Sequence, residues 1–204
     1  MTKYQKILLG TVTAIFIWSA INPHDYFTWF LEVVPAIIGF ILLAATYKKF
    51  RFSNVTYTLI ALHAVILMVG GHSTYAEVPL FNWLRDIGIF ERNNYDKIGH
   101  LAQGFIPAIV AREILLRTSP LKPGKWLNFI VVSITGLITA LYEIIEWLVA
   151  VAVGSAGDAF LGTQGYIWDT QSDMALCLLG AILALVLLTK FHNKQLQKIG
   201  VLPQ

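Results

Sequence analysis

Residues 127–153 read LNFIVVSITGLITALYEIIEWLVAVAV, an apolar run broken by two charged side chains, Glu143 and Glu146. A helix rising about 1.5 Å per residue needs about 20 such residues to cross the hydrocarbon of a bilayer. This stretch is long enough, and its apolar residues come as a block rather than alternating. Backbone donors cannot stay unpaired in lipid, so a spanning segment of this kind has to be helical.

Working outward, five further apolar segments fall near 5–22, 30–47, 55–71, 97–117 and 170–190. The 97–117 segment is the least hydrophobic, but Ile98, Leu101, Phe105, Ile106, Ile109, Val110 and Leu115 still dominate it. The whole chain of 204 residues is 56% hydrophobic and 13% charged. A soluble domain carries about 25% charged residues. The expectation is an all-α, polytopic bundle of six transmembrane helices, forming one membrane domain over residues 1–204. Nucleic-acid binding is excluded as a reading, because Lys and Arg sit in short connections rather than on one basic face. Cys177 is the only cysteine, which rules out an intramolecular disulfide and a Cys-rich metal site.

Lys and Arg placement orients the segments. One side collects Lys3 and Lys6, then Lys48, Lys49 and Arg51, then Arg112, Arg117, Lys122 and Lys125, then Lys190, Lys194 and Lys198. The other side has Arg85, Arg92 and Lys97, balanced by Asp86, Glu91 and Asp96. This predicts cytoplasmic N- and C-termini in a bacterial inner membrane. The N-terminal run resembles a signal peptide, but Ser19-Ala20-Ile21-Asn22 is a weak cleavage site, so it reads as an uncleaved first span.

Two outer connections stand out. In residues 72–96, Leu80, Trp83, Leu84 and Ile87 recur at helical spacing, which predicts a short helix lying in the interface. Residues 154–169 carry Gly154, Gly157, Gly162 and Gly165 with Gln164, Tyr166 and Trp168, a loop able to fold back over a cavity.

Seven ionisable residues gather at the same outer end of four successive segments: His72, Asp96, His100, Glu143, Glu146, Asp169 and Asp173. An acid or imidazole near hydrocarbon is costly and faces protein or water, which makes it a candidate functional group. Asp96, His100, Gln103 and Pro107 share one helical face, with Gly99 and Gly104 beside them for close backbone approach. Glu143 and Glu146 are neighbours at i, i+3, so either one holds a proton or a cation lies between them. Asp169 and Asp173 are spaced i, i+4, above a small-residue stripe of Cys177, Gly180, Ala181 and Ala184. His63 and His72 are nine residues apart, about half a turn out of phase, so at most one faces the pocket unless Gly70-Gly71 breaks the helix. His72, at the outer end, is the expected one, with His63 read as a buried hydrogen-bonded residue. His24, Asp25 and Glu32 are expected to rim the pocket or sit in solvent.

This set of imidazoles and carboxylates, without thiolates, suits a divalent metal such as Zn, Mn or Fe. The expected ligands are His72, His100, Glu146 and Asp173. Glu143 would act as base or lie behind the ligands, and Asp96 and Asp169 would orient them. The leading functional expectation is a metal-assisted enzyme acting on a lipid or lipid-linked substrate from the bilayer. A proton-coupled small-solute transporter is the alternative, since Asp, Glu and His chains also serve relays. A non-catalytic structural or stress-response protein is the third reading. No HExxH, phosphate-cradling loop or nucleotide motif occurs.

Three strings resemble the YjdF-like family of bacterial inner-membrane proteins: Asn94-Tyr95-Asp96-Lys97-Ile98-Gly99-His100, Tyr142-Glu143-Ile144-Ile145-Glu146-Trp147, and the segment from Gly162-Thr163-Gln164-Gly165 through Tyr166-Ile167-Trp168-Asp169 to Thr170-Gln171-Ser172-Asp173-Met174. That resemblance implies a multi-pass plasma-membrane location and no particular reaction. A looser one is to VanZ-like membrane proteins, associated with glycopeptide resistance. Asp96, Lys97, His100, Glu143 or Glu146, Asp169, Asp173 and Gly180 would correspond to their pattern. The chain departs from it at Thr170-Gln171-Ser172 and in lacking an Arg just before Asp169.

Overall fold

A computed structural model describes residues 1–154, 160 and 163–203. Its elements are α1 (Lys3–Ser19), α2 (Tyr26–Thr46), α3 (Asn54–His72), α4 (Pro79–Asp86), α5 (Tyr95–Thr118), α6 (Lys125–Val153) and α7 (Asp169–Lys198). No strand occurs among the described residues. Six of these helices coincide with the six apolar segments, and α4 is the short helix expected in the 72–96 connection. Gly157 and Gly162 of the expected lid lie outside the described residues.

Local chemistry sets the helix starts. Thr2 and Gln5 form a reciprocal capping box on α1, and the Asp25 carboxylate accepts the Thr28 N–H at 2.6 Å to cap α2. Ser53 caps α3 in the same way. Helix α7 runs past the expected end at 190 to Lys198. The fall in hydropathy there marks the edge of the apolar stretch, while His192 and Leu196 stay fully buried and continue the helix face.

The burial pattern is inverted relative to a soluble protein. Phe40, Leu42, Leu137, Val151, Val186 and Leu187 are all more than half exposed. Arg112, Glu113, Glu143, Asp169, Asp173 and His192 are inside. Water would penalise that arrangement, whereas lipid favours it. Four helices, α2, α3, α6 and α7, are long and apolar enough to cross a membrane by length and composition. Helix α1 has only 17 residues, and α5 carries Asp96, Lys97, Arg112, Glu113 and Arg117.

Helix α5 is the hub. It packs along α7 most extensively, and also against α6 and α3, while α3 in turn receives α1 and α2. The α5–α7 contact is a backbone approach made possible by glycine. A Cβ on Gly104 would collide with the Cys177 carbonyl, and one on Gly180 with the Leu101 carbonyl. Next to this crossing, Ala108, Ile109, Leu127, Val131, Ala181 and Ala184 form a dry core. That crossing brings the start of α7 beside the start of α5, where the acids lie.

Candidate functional site

Three helix ends meet here: the first turns of α5 and α7 and the last third of α6. Lys97 lies at the centre. Its Nζ donates to Asp169 Oδ1 at 2.7 Å, Asp173 Oδ1 at 2.6 Å and Ser172 Oγ at 2.9 Å, and it lies 3.4 Å from Asp96 Oδ2. Arg92, from the loop before α5, donates to the same Asp169 Oδ1 at 2.7 Å and to the Thr163 carbonyl at 2.6 Å. Its guanidinium also stacks over the Tyr166 ring at 4.8 Å. Arg92 therefore ties the segment before α7 to the start of α5, helped by Gln164 Nε2 donating to the Asn93 carbonyl at 2.7 Å.

His100 is buried one turn deeper. Its Nε2 is 3.2 Å from Asp96 Oδ1 and 3.9 Å from Asp173 Oδ2. One ligand atom each from Asp96, His100 and Asp173 lies within 4.8 Å of the others. On the other ring edge, His100 Nδ1 faces Glu143 Oε1 at 3.8 Å, and both atoms are buried without a hydrogen-bond partner among the described residues. Six buried or nearly buried carboxylates, counting Glu32 and Glu146, stand against the fixed charges of Lys97 and Arg92.

A cavity of about 140 Å³ opens beside His100 and runs between α2, α3, α5 and α6. Glu146 and Glu32 line it together with Asp96, His100, His63 and Tyr75. The Tyr142 hydroxyl donates to Glu32 Oε2 over 3.4 Å. Tyr75 follows α3, and its burial holds the phenol well above its ordinary range, so it stays protonated.

Most of the expected site residues converge. Asp96, His100, Glu143, Asp169 and Asp173 share one cluster, and Glu146 lines the adjoining cavity rather than joining the three closest donors. His72 does not belong to it. Its Nδ1 is 3.1 Å from the Ser19 carbonyl and its ring packs on Trp18 at 4.4 Å. The reason is helical phase: α3 is unbroken through Gly70-Gly71, so the half-turn offset holds and His63 takes the inward face. His63 was expected as a buried hydrogen-bonded residue; its Nε2 is buried without a partner among the described residues. Of the two places expected for Glu32, the pocket and solvent, it takes the pocket: it is 5% exposed and lines the cavity.

Sequence reasoning missed a second buried cluster at the far end of α5. Glu113 and His192 are 0% exposed, and Ser53, Thr56, Arg112 and Arg117 surround them. The available signal was an acid and a histidine inside segments otherwise counted for their Lys and Arg.

The comparisons with known proteins agree with a membrane location. A family described as "Predicted membrane protein (DUF2238)" matches residues 4–194. The chain belongs to this family. It is 47% identical over 192 residues to "Inner membrane protein YjdF" of Escherichia coli (strain K12), covering 94% of this chain and 92% of that one. No solved structure matches it. Membership and the apolar helices together make it an integral protein of the bacterial inner membrane.

Proposed function

We propose that the chain is a single membrane domain of six spans with both termini in the cytoplasm. Its pocket, at the starts of α5 and α7, then opens to the periplasm. The Lys and Arg asymmetry of the connections supports that orientation. In this frame α4 lies flat at the outer interface, with Leu80, Trp83 and Ile87 exposed to it.

The site is read as a divalent-metal centre serving an enzyme that acts on a lipid or lipid-linked group. One observation carries this: the donor atoms of Asp96, His100 and Asp173 converge within 4.8 Å, while Lys97 takes oxygens of both Asp residues that face away from His100. One nitrogen and two oxygens suit Zn, Mn or Fe and leave coordination positions open. A bound metal would polarise an oxygen or activate water there. Glu143, which faces His100 Nδ1 on the ring edge away from the other two donors, would lie behind the ligands or take a proton from that ring. Asp169 holds Lys97 and Arg92 rather than reaching the donors. Elemental analysis of the purified protein is the test. Near-stoichiometric Zn, Mn or Fe, lost in Asp173→Ala, supports the reading, and metal-free wild type overturns it.

The second reading, a proton-coupled carrier, is favoured by the unpartnered pair of His100 Nδ1 and Glu143 Oε1. With Asp96 on the other ring nitrogen, they make a carboxylate–imidazole–carboxylate line suited to passing a proton. Metal-free protein with pH-dependent solute uptake in vesicles would select it.

A further inference from the structure

The cavity beyond His100 has chemistry of its own. Its 140 Å³ approaches the roughly 150 Å³ of an engineered cavity that holds one benzene molecule, so it fits a group of a few heavy atoms. Pro35, Leu67, Pro107 and Ile138 give it apolar walls. Between those walls are buried polar groups short of partners. Glu32, 5% exposed, has a single long bond from Tyr142 among the described residues. His63 Nε2 is buried with no partner among the described residues, and the Tyr75 ring, 6% exposed, lines the same space. Buried polar atoms are nearly always paired, so this set points to a ligand that pairs them.

The ligand's sign follows from what lines the space. Glu32, Glu146 and Asp96 supply carboxyls, His63 and His100 ring nitrogens and Gln103 an amide, while no Lys or Arg lines the cavity among the described residues. An anion would meet three carboxyls with only the two imidazoles to offset them. An apolar molecule would leave every polar atom unpaired. A primary ammonium has three donors and no acceptor, and it is also drawn to the faces of tyrosine rings such as Tyr75 and Tyr142.

We propose that this cavity binds a protonated primary amine, with Glu32 as its counter-ion and Tyr142, His63 and Tyr75 completing the contacts. As the substrate group of the candidate site it rests on the reading above; as a binding pocket it needs no metal. The amine comes either from a lipid headgroup or from a small free amine in the periplasm.

The test is calorimetric titration of the full-length, EDTA-treated protein in detergent with ethanolamine, and with ethylene glycol as its uncharged counterpart. Saturable binding of ethanolamine alone is expected. Glu32→Gln should weaken it at least tenfold, about 1.4 kcal/mol, with ligand-free melting confirming that the variant is folded. Should Glu32→Gln not fold, Ile138→Phe, which adds bulk to an apolar wall of the cavity, must abolish binding. No saturable binding, equal binding of ethylene glycol, or undiminished binding in a folded variant overturns the proposal. Nanodiscs identify the source. Phosphatidylethanolamine discs suppress ethanolamine binding if the headgroup is the natural occupant, and leave it intact if the ligand is a free amine. Phosphatidylglycerol discs leave it intact in both cases. Metal content is measured separately, so failure of the metal reading does not touch this outcome.

Discussion

Glu113 Oε2 lies 3.1 Å from His192 Nε2, joining α5 to α7 across 79 positions of the chain. Arg112 Nη1 sits 2.9 Å from the other ring nitrogen, and a guanidinium only donates, so His192 Nδ1 is the acceptor and Nε2 carries the hydrogen. The Glu113 carboxylate also accepts from Ser53 N and Oγ at 2.8 Å, Thr56 Oγ1 at 2.6 Å and Arg117 Nη1 at 3.0 Å. The acid thus clamps α3, α5 and α7 together at the end opposite the candidate site.

Removing that acid should be severe. Glu113→Ala leaves several buried donors and the Arg117 charge without a partner, a loss of about 3–5 kcal/mol. Reversible unfolding in detergent measures it. A loss below about 1 kcal/mol would mean that water replaces the carboxylate and that the cluster is no clamp.

The helix crossing gives a sharper contrast. Gly104→Ala and Gly180→Ala place a methyl against a backbone carbonyl, which cannot rotate away, so α5 and α7 must separate. The expected cost is about 3 kcal/mol or more for each, the upper end of overpacking penalties. Gly39→Ala, whose methyl would meet open space on α2, should instead be neutral or stabilise by about 0.5–1 kcal/mol. Equal melting temperatures for Gly104→Ala and Gly39→Ala would remove the close approach from the account.

Asp25 supplies a pH-dependent cap. The Thr28 N–H holds its carboxyl below its ordinary value of 3.8. A group lowered in the folded state stabilises it above the unfolded value, and that contribution disappears as pH falls through the folded one. Asp25→Ala should therefore cost about 1 kcal/mol at neutral pH. At a pH below the shifted value the variant and wild type should melt together. A difference that persists there would assign the loss to packing.

Much of this was legible in the sequence, for a physical reason. Hydrophobic blocks of spanning length leave the backbone one option, so all six long helices start within a few residues of where hydropathy places them, and only α7 runs well past its expected end. Gly104 read correctly as a close-approach position, and the small-residue stripe containing Gly180 is the surface it packs on, because small residues in apolar helices have few other uses. The site was legible where ionisable groups share one helical face, as Asp96 with His100 and Asp169 with Asp173 do. It was not legible where membership depends on which face of one helix meets another. His72 and His63 differ only in phase, and position along the chain favoured the wrong one. Arg92 and Glu32 come from elements whose approach to α5 is set by tertiary packing alone, and no spacing in the chain encodes it. Glu113 was hidden by its neighbours, since a charge beside Arg112 and Arg117 reads as part of a loop edge until α7 is seen to cover it.

The two histidines also separate the alternatives for metal binding. His100 Nε2 lies between Asp96 and Asp173, so under the proposed metal reading His100→Ala would remove one of three donors and should lower the metal content of purified protein by about tenfold or more. His72 touches Ser19 and Trp18 instead, so His72→Ala should keep the metal and lose only the stability of that contact, about 1–3 kcal/mol. Lys97→Met tests the orienting role. It frees Asp169 and Asp173 together, so metal content should fall while Arg92 still holds Asp169 at 2.7 Å. Elemental analysis of the three variants beside wild type reads all of this in one experiment. Metal lost in His72→Ala but retained in His100→Ala would return the site to the outer end of α3. Metal unchanged in both would place it outside the α5–α7 cluster altogether.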